Sequence, residues 1–168
     1  MSAPAGALRR LAVAAALLAL LACSERQPLV SDVAPEFSLP LVGGGTVTLA
    51  SLRGHTVLID FWATWCPPCL LEIPELNALS HELDGSRTQI LAVSVDSLTP
   101  EALAEWLKER DVRYAVALGD TDLAGRYGAD AFPFHVVLGP DGKVLERLES
   151  GFHDRQQLRD VLARHQAQ

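Results

Sequence analysis

The chain has 168 residues, three cysteines and a formal net charge of −7. Its lysines and arginines are scattered, with no basic stripe and no interleaved aromatics. Affinity for nucleic acid is dominated by neutralising phosphate, so this composition argues against such a partner.

Arg9 and Arg10 precede an uninterrupted apolar run from Leu11 to Ala22. A basic start, a short apolar stretch and a small residue at a boundary read as a secretory signal. The run falls short of the roughly 20 apolar residues of a membrane span; an uncleaved anchor is the rival reading. Leu20-Leu21-Ala22-Cys23 resembles the lipobox of bacterial lipoproteins. That resemblance implies cleavage before Cys23, lipid on its sulfur, and a tether to the membrane on the extracytoplasmic (periplasmic) side. It accounts for the odd cysteine number, and two acyl chains are what stable anchoring takes. An ordinary signal peptide with Cys23 near the cut is the plainer reading. The organisation expected is a signal over 1–22, an attachment cysteine and linker over 23–33, and one domain over 34–168. Loss of Arg9 and Arg10 takes the charge from −7 to −9.

Phe37 to Leu41 and Thr46 to Leu49 flank Gly43-Gly44-Gly45 and predict a two-stranded ribbon around a turn. Those glycines lack the lysine and hydroxyl of a phosphate loop. Thr56 to Trp62 is a β-branched apolar run suited to a buried central strand. Leu70, Ile73, Leu76, Leu79 and Leu83 recur at helical spacing and predict a helix from about Pro67 to Leu83, kinked at Pro74. Gln89 to Asp96 is the next strand. Thr99-Pro100 caps a helix through Leu103, Trp106 and Leu107. Tyr114 to Leu118 reads as a short strand, and Asp122 to Tyr127 as a helix ended by Gly128. Phe134 to Leu138 and Lys143 to Leu148 bracket Gly139-Pro140-Asp141-Gly142 as a hairpin. A final helix, Asp154 to His165, carries Leu158, Val161 and Leu162 on one face. Alternating strands and helices predict an α/β fold: a mixed sheet flanked by helices on both faces, with the N-terminal ribbon added.

Trp65-Cys66-Pro67-Pro68-Cys69 sits where the central strand hands over to a helix. Residues three apart on a helix have Cβ atoms about 5–6 Å apart, and a disulfide needs Cα atoms about 4.4–6.8 Å apart. The pair therefore opens and closes with little backbone movement. Cys66, at the helix start, is favoured as the thiolate by the N-terminal partial charge. Cys69, a turn inside and more buried, is then the resolving thiol. A structural disulfide closing so small a loop adds little stability. A zinc half-site lacks a second Cys-x-x-Cys or paired histidines. A copper site fares worse, because His55, His81, His135, His153 and His165 show no ligand spacing. No metal and no cofactor are expected.

The run Trp62-Ala63-Thr64-Trp65-Cys66-Pro67-Pro68-Cys69-Leu70-Leu71-Glu72-Ile73-Pro74-Glu75-Leu76 resembles the thioredoxin superfamily, in its membrane-tethered extracytoplasmic branch of TlpA, ResA and CcmG (DsbE) type. The resemblance spans roughly Ala34 to Leu162. It implies a thioredoxin fold, a protein-disulfide reductase, an integral-membrane thiol donor and disulfide-bearing clients, apocytochrome c among them. Asp60 falls at the position of thioredoxin's buried aspartate; an acid in that apolar run should have a raised pKa and take the proton of Cys69. A strand-end acid reaching solvent is the rival reading. Glu72 matches a glutamate of the ResA and CcmG group, against a solvated helix-face residue. Pro133, between Phe132 and Phe134, matches the superfamily's cis-proline, whose backbone meets a bound peptide. The threonine usual after it is Phe134 here, followed by His135. Trp65, Pro67, Pro68, Phe132 and Pro133 are the expected client-contacting residues, with core packing the rival for Trp65.

A peroxiredoxin-like peroxidase needs a threonine three residues before its reactive cysteine, where this chain has Ala63. A metal chaperone on the same fold and a disulfide isomerase also compete with the reductase. No dimerisation segment is visible, which counts against the isomerase, and a monomer is expected. Pro67 and Pro68 remove two amide donors from the Cys66 sulfur, and Asp60 and Glu72 add negative charge when ionised. Both effects oppose thiolate stabilisation and predict a reducing rather than strongly oxidising couple.

Overall fold

The computed structural model describes residues 33–83 and 87–165. The signal, the attachment cysteine Cys23 and almost all of the linker lie outside these residues.

Two short strands, β1 (Ser38–Pro40) and β2 (Thr46–Thr48), form the antiparallel ribbon. Leu41 N–H closes its turn on the Gly45 carbonyl, and Gly44 and Gly45 both adopt positive φ. A 3-10 turn at Ala50–Leu52, not foreseen from sequence, leads into β3 (Thr56–Trp62), all seven residues of which are buried. Then follow α1 (Pro67–Glu82), β4 (Thr88–Ser94), α2 (Pro100–Glu109), β5 (Ala115–Leu118), α3 (Thr121–Tyr127), β6 (Phe134–Leu138), β7 (Val144–Arg147) and α4 (Arg155–His165). The element order matches the expectation, with ends displaced by a residue or two. Helix α1 continues through Pro74. Thr99 caps α2 as expected, accepting from Ala102 N–H, whereas α3 begins one residue earlier than expected, capped by Asp120, which accepts from Leu123 N–H. Gly128, at φ 101°, ends α3 in the left-handed conformation that favours glycine.

The main sheet has the order β5-β4-β3-β6-β7. Strands β3, β4 and β5 run parallel, and β6 runs antiparallel to both its neighbours, β3 and β7. Alternation along β3 divides its side chains between two cores. Val57, Ile59 and Phe61 pack with Leu103 and Leu107 of α2 and Leu123 and Tyr127 of α3. Leu58 packs on the other face with Leu76 and Leu79 of α1, Val137 of β6, and Leu158, Val161 and Leu162 of α4. Asp60, two residues along from Leu58, shares its face. In the antiparallel register Asp60 pairs directly with His135 of β6, so both side chains emerge under the helices α1 and α4. On α1, Cys69, Glu72, Leu76 and Leu79 form the buried stripe that meets them.

Candidate active site

Cys66 and Cys69 are joined as a disulfide, with Cα atoms 5.3 Å apart. Cys66 caps α1 in an extended conformation, with Pro67 and Pro68 occupying the first two helical positions. Neither proline has an N–H, so the first helical amide able to reach the Cys66 sulfur is that of Cys69, at 3.3 Å. The expected difference in burial between the two cysteines is nearly absent: Cys66 is 4 % and Cys69 3 % exposed. In so short a ring both sulfurs share one crevice.

The loop before Cys66 is braced from below by a residue that belongs to no motif. Asp96, just past β4 and buried, accepts from the Thr64 backbone N–H at 2.9 Å and the Thr64 hydroxyl at 2.7 Å. The Ser94 hydroxyl donates to the Asp96 carboxylate at 2.7 Å. A strand-end aspartate ordinarily reads as a turn residue, so only the tertiary contact reveals this role.

The Phe132–Pro133 peptide bond is cis. The Pro133 carbonyl accepts from Gly151 N–H at 2.9 Å. Phe132 meets Trp65 edge to face at 6.1 Å between ring centres. Trp65 is 63 % exposed, which decides against a core role; Trp62, by contrast, is buried against Trp106. Pro67 is exposed, Pro68 half-buried and Leu71 69 % exposed. Of the residues expected to touch a client, Trp65 and Pro67 are therefore exposed, Pro68 and Phe132 half-buried, and Pro133 buried.

Behind the disulfide lies a polar cluster in an otherwise apolar core. Asp60, Glu72 and His135 are all buried, so neither acid reaches solvent. His135 Nε2 lies 3.1 Å from Glu72 Oε2 and 3.5 Å from Asp60 Oδ1. None of these three atoms makes a directed hydrogen bond, and neither does His135 Nδ1. The other Glu72 oxygen accepts from the His153 backbone N–H at 2.7 Å. The His153 ring stands edge-on to His135 at 5.2 Å, and its Nδ1 lies 2.9 Å from the Gly151 carbonyl. Loss of hydration pushes Asp60 up to about 7, partly offset by His135 and reinforced by Glu72. The same burial pushes Glu72 up to about 7 against the His153 hydrogen bond. Burial lowers both His135 and His153, favouring neutral rings. His135 and His153 show no ligand spacing in the sequence; strand register and a loop bring them together.

A cysteine pair that closes at the head of a helix in this sheet topology, with a buried acid on the strand leading to it, defines a thioredoxin-fold thiol–disulfide oxidoreductase. Comparison with known proteins agrees. The AhpC/TSA family matches residues 30–147. "Thiol-disulfide oxidoreductase ResA" of Bacillus cereus is 31 % identical, over 79 % of this chain and 76 % of that protein. Among solved structures, a Chlorobium tepidum protein assigned as thiol:disulfide interchange protein DsbE has a TM-score of 0.69 at 30 % identity, covering 79 % and 94 % of the two chains. The exposed lipoprotein thioredoxin Etrx1 of Streptococcus pneumoniae has a TM-score of 0.67 at 26 % identity, covering 77 % and 99 %. The chain belongs to the AhpC/TSA family, among its ResA- and DsbE-like thiol–disulfide oxidoreductases.

Proposed function

We propose that the protein is an extracytoplasmic reductase of protein disulfides, tethered to a membrane and recharged there by a thiol donor. The observation that carries the catalytic part is the Cys66–Cys69 disulfide at the first turn of α1, beside the exposed Trp65, which meets the half-buried Phe132. In the reduced protein the Cys66 thiolate attacks one sulfur of a client disulfide. A Cys66–client bond forms, and the client's other sulfur leaves as a thiolate that takes up a proton. Cys69 then gives its proton to Asp60, and its thiolate attacks Cys66 Sγ. The Cys66–Cys69 bond forms, the client's second sulfur leaves as a thiolate that takes up the proton released by Asp60, and two electrons have passed to the client. Two electrons and two protons from a membrane dithiol restore the pair. Apocytochrome c, whose cysteines must be reduced before haem attachment, is a client of fitting chemistry.

Electron flow toward the client is favoured by Pro67 and Pro68, which leave only the Cys69 amide donating to the Cys66 sulfur from the helix's first turn. A thiolate with few donors is weakly stabilised, and its disulfide is hard to reduce. The tether rests on Cys23 and the apolar run before it, and on likeness to a protein named an exposed lipoprotein. No helix among the described residues is long and apolar enough to cross a membrane. The first contact with the client, the membrane donor and a monomeric state belong to the same reading. Full-length chain carrying Cys69→Ser, offered disulfide-bearing extracytoplasmic proteins, should retain a covalent partner that reductant releases. Cys66→Ser should retain none. Equal retention by the two variants, or none by either, would remove the exchange mechanism.

A further inference from the structure

The cluster behind the disulfide has the features of a cation site. Glu72, His135 and His153 each present one ligating atom, and these atoms lie within 4.8 Å of one another. Tetrahedral zinc, with bonds of about 2.0–2.1 Å to nitrogen and oxygen, sets its ligand atoms about 3.3–3.4 Å apart. The 3.1 Å between His135 Nε2 and Glu72 Oε2 is already near that spacing. Those two buried atoms face each other without a directed hydrogen bond, as donor atoms around an ion do. Their surroundings hold them in the form a ligand needs. The Gly151 carbonyl can only accept, so His153 Nδ1 carries the ring proton and Nε2 keeps its lone pair. The His153 backbone N–H fixes one Glu72 oxygen and leaves the other aimed inward. Such outer contacts are those that orient metal ligands.

We propose that Glu72, His135 and His153 bind a divalent transition-metal cation of the zinc class. Two imidazoles and a carboxylate suit zinc, whereas calcium and magnesium call for oxygen ligands. A soft monovalent ion would want thiolates, which this ligand set does not contain. Asp60, 3.5 Å from His135 Nε2, supplies a second negative charge, so a dication would leave the buried set neutral. The half-buried His153 ring is the part of the site nearest solvent and marks the way in.

The site is testable apart from catalysis. Full-length protein is held with Cys66–Cys69 oxidised and any remaining thiol alkylated, so that sulfur cannot contribute. Titration with Zn2+ against a chromophoric chelator should show one equivalent bound. Co2+ should give visible absorption of low coordination number without a thiolate charge-transfer band. His153→Ala, at a half-buried loop position, should weaken binding at least about tenfold with the fold retained by circular dichroism, and Glu72→Gln should do the same. Absence of stoichiometric binding, or binding that neither substitution weakens, would overturn the proposal and leave thiol–disulfide exchange untouched.

Discussion

At the scale of single residues, Asp60 has the most to explain, because a carboxyl in a dry core must be offset by function or partner. Its pKa, pushed up to about 7 by burial, suits a group that accepts a thiol proton near neutral pH and returns it. Asp60→Asn keeps the shape and removes the acceptor. Release of a model client from its mixed disulfide with Cys66 should slow about 100-fold at pH 7, while the initial attack by Cys66 changes little. Stopped-flow single-turnover measurements separate the two steps, and equal release rates would take Asp60 out of the mechanism. Much of this was legible in the chain. Two cysteines three apart after a β-branched strand pointed to their chemistry, and Asp60 stood out as the acid inside an apolar run. Its neighbours did not. His135 meets Asp60 only through the antiparallel register of β3 and β6, and His153 arrives on a loop. No local spacing encodes either approach.

At the scale of elements, the catalytic turn is held by the strand next door rather than by its own hydrogen bonds alone. Thr64, two residues before Cys66, is tied by backbone and side chain to Asp96 at the end of β4, and Ser94 completes the set. The parallel pairing of β3 with β4, which sets Trp62 beside Ser94, brings the two ends together. Asp96→Ala leaves three donors without their acceptor. A destabilisation of roughly 2–3 kcal/mol follows from donors left unsatisfied in partly buried surroundings, measurable by urea denaturation of the oxidised protein. An unchanged midpoint of unfolding would show that the brace contributes nothing. Periodicity placed the helices because each buries one face, as α2 does with Leu103 and Leu107, and the central strands β3 and β6, buried throughout, showed as continuous apolar runs. It missed the 3-10 turn at Ala50–Leu52, which carries no repeating apolar pattern and is fixed by contacts of its ends.

At the scale of the whole molecule, the sheet presents the disulfide at one end of a central strand, with the exposed Trp65 beside it and an acidic, histidine-bearing interior below. The direction of electron flow is a property of that whole arrangement, since it depends on how far the fold stabilises the Cys66 thiolate over the disulfide. On the proposed reading, the two prolines at the helix start favour the disulfide, and Asp60 and Glu72 add to that effect only when ionised. The direct measurement is the midpoint potential of the Cys66–Cys69 couple. Full-length chain with Cys23 blocked is equilibrated against glutathione or dithiothreitol buffers, and its redox state is read by thiol trapping. A value near or below about −230 mV, in the range of glutaredoxins and thioredoxin, is expected of a reductase. A value near about −120 mV, where strong periplasmic oxidants lie, would contradict the proposed direction and make the protein a donor of disulfides.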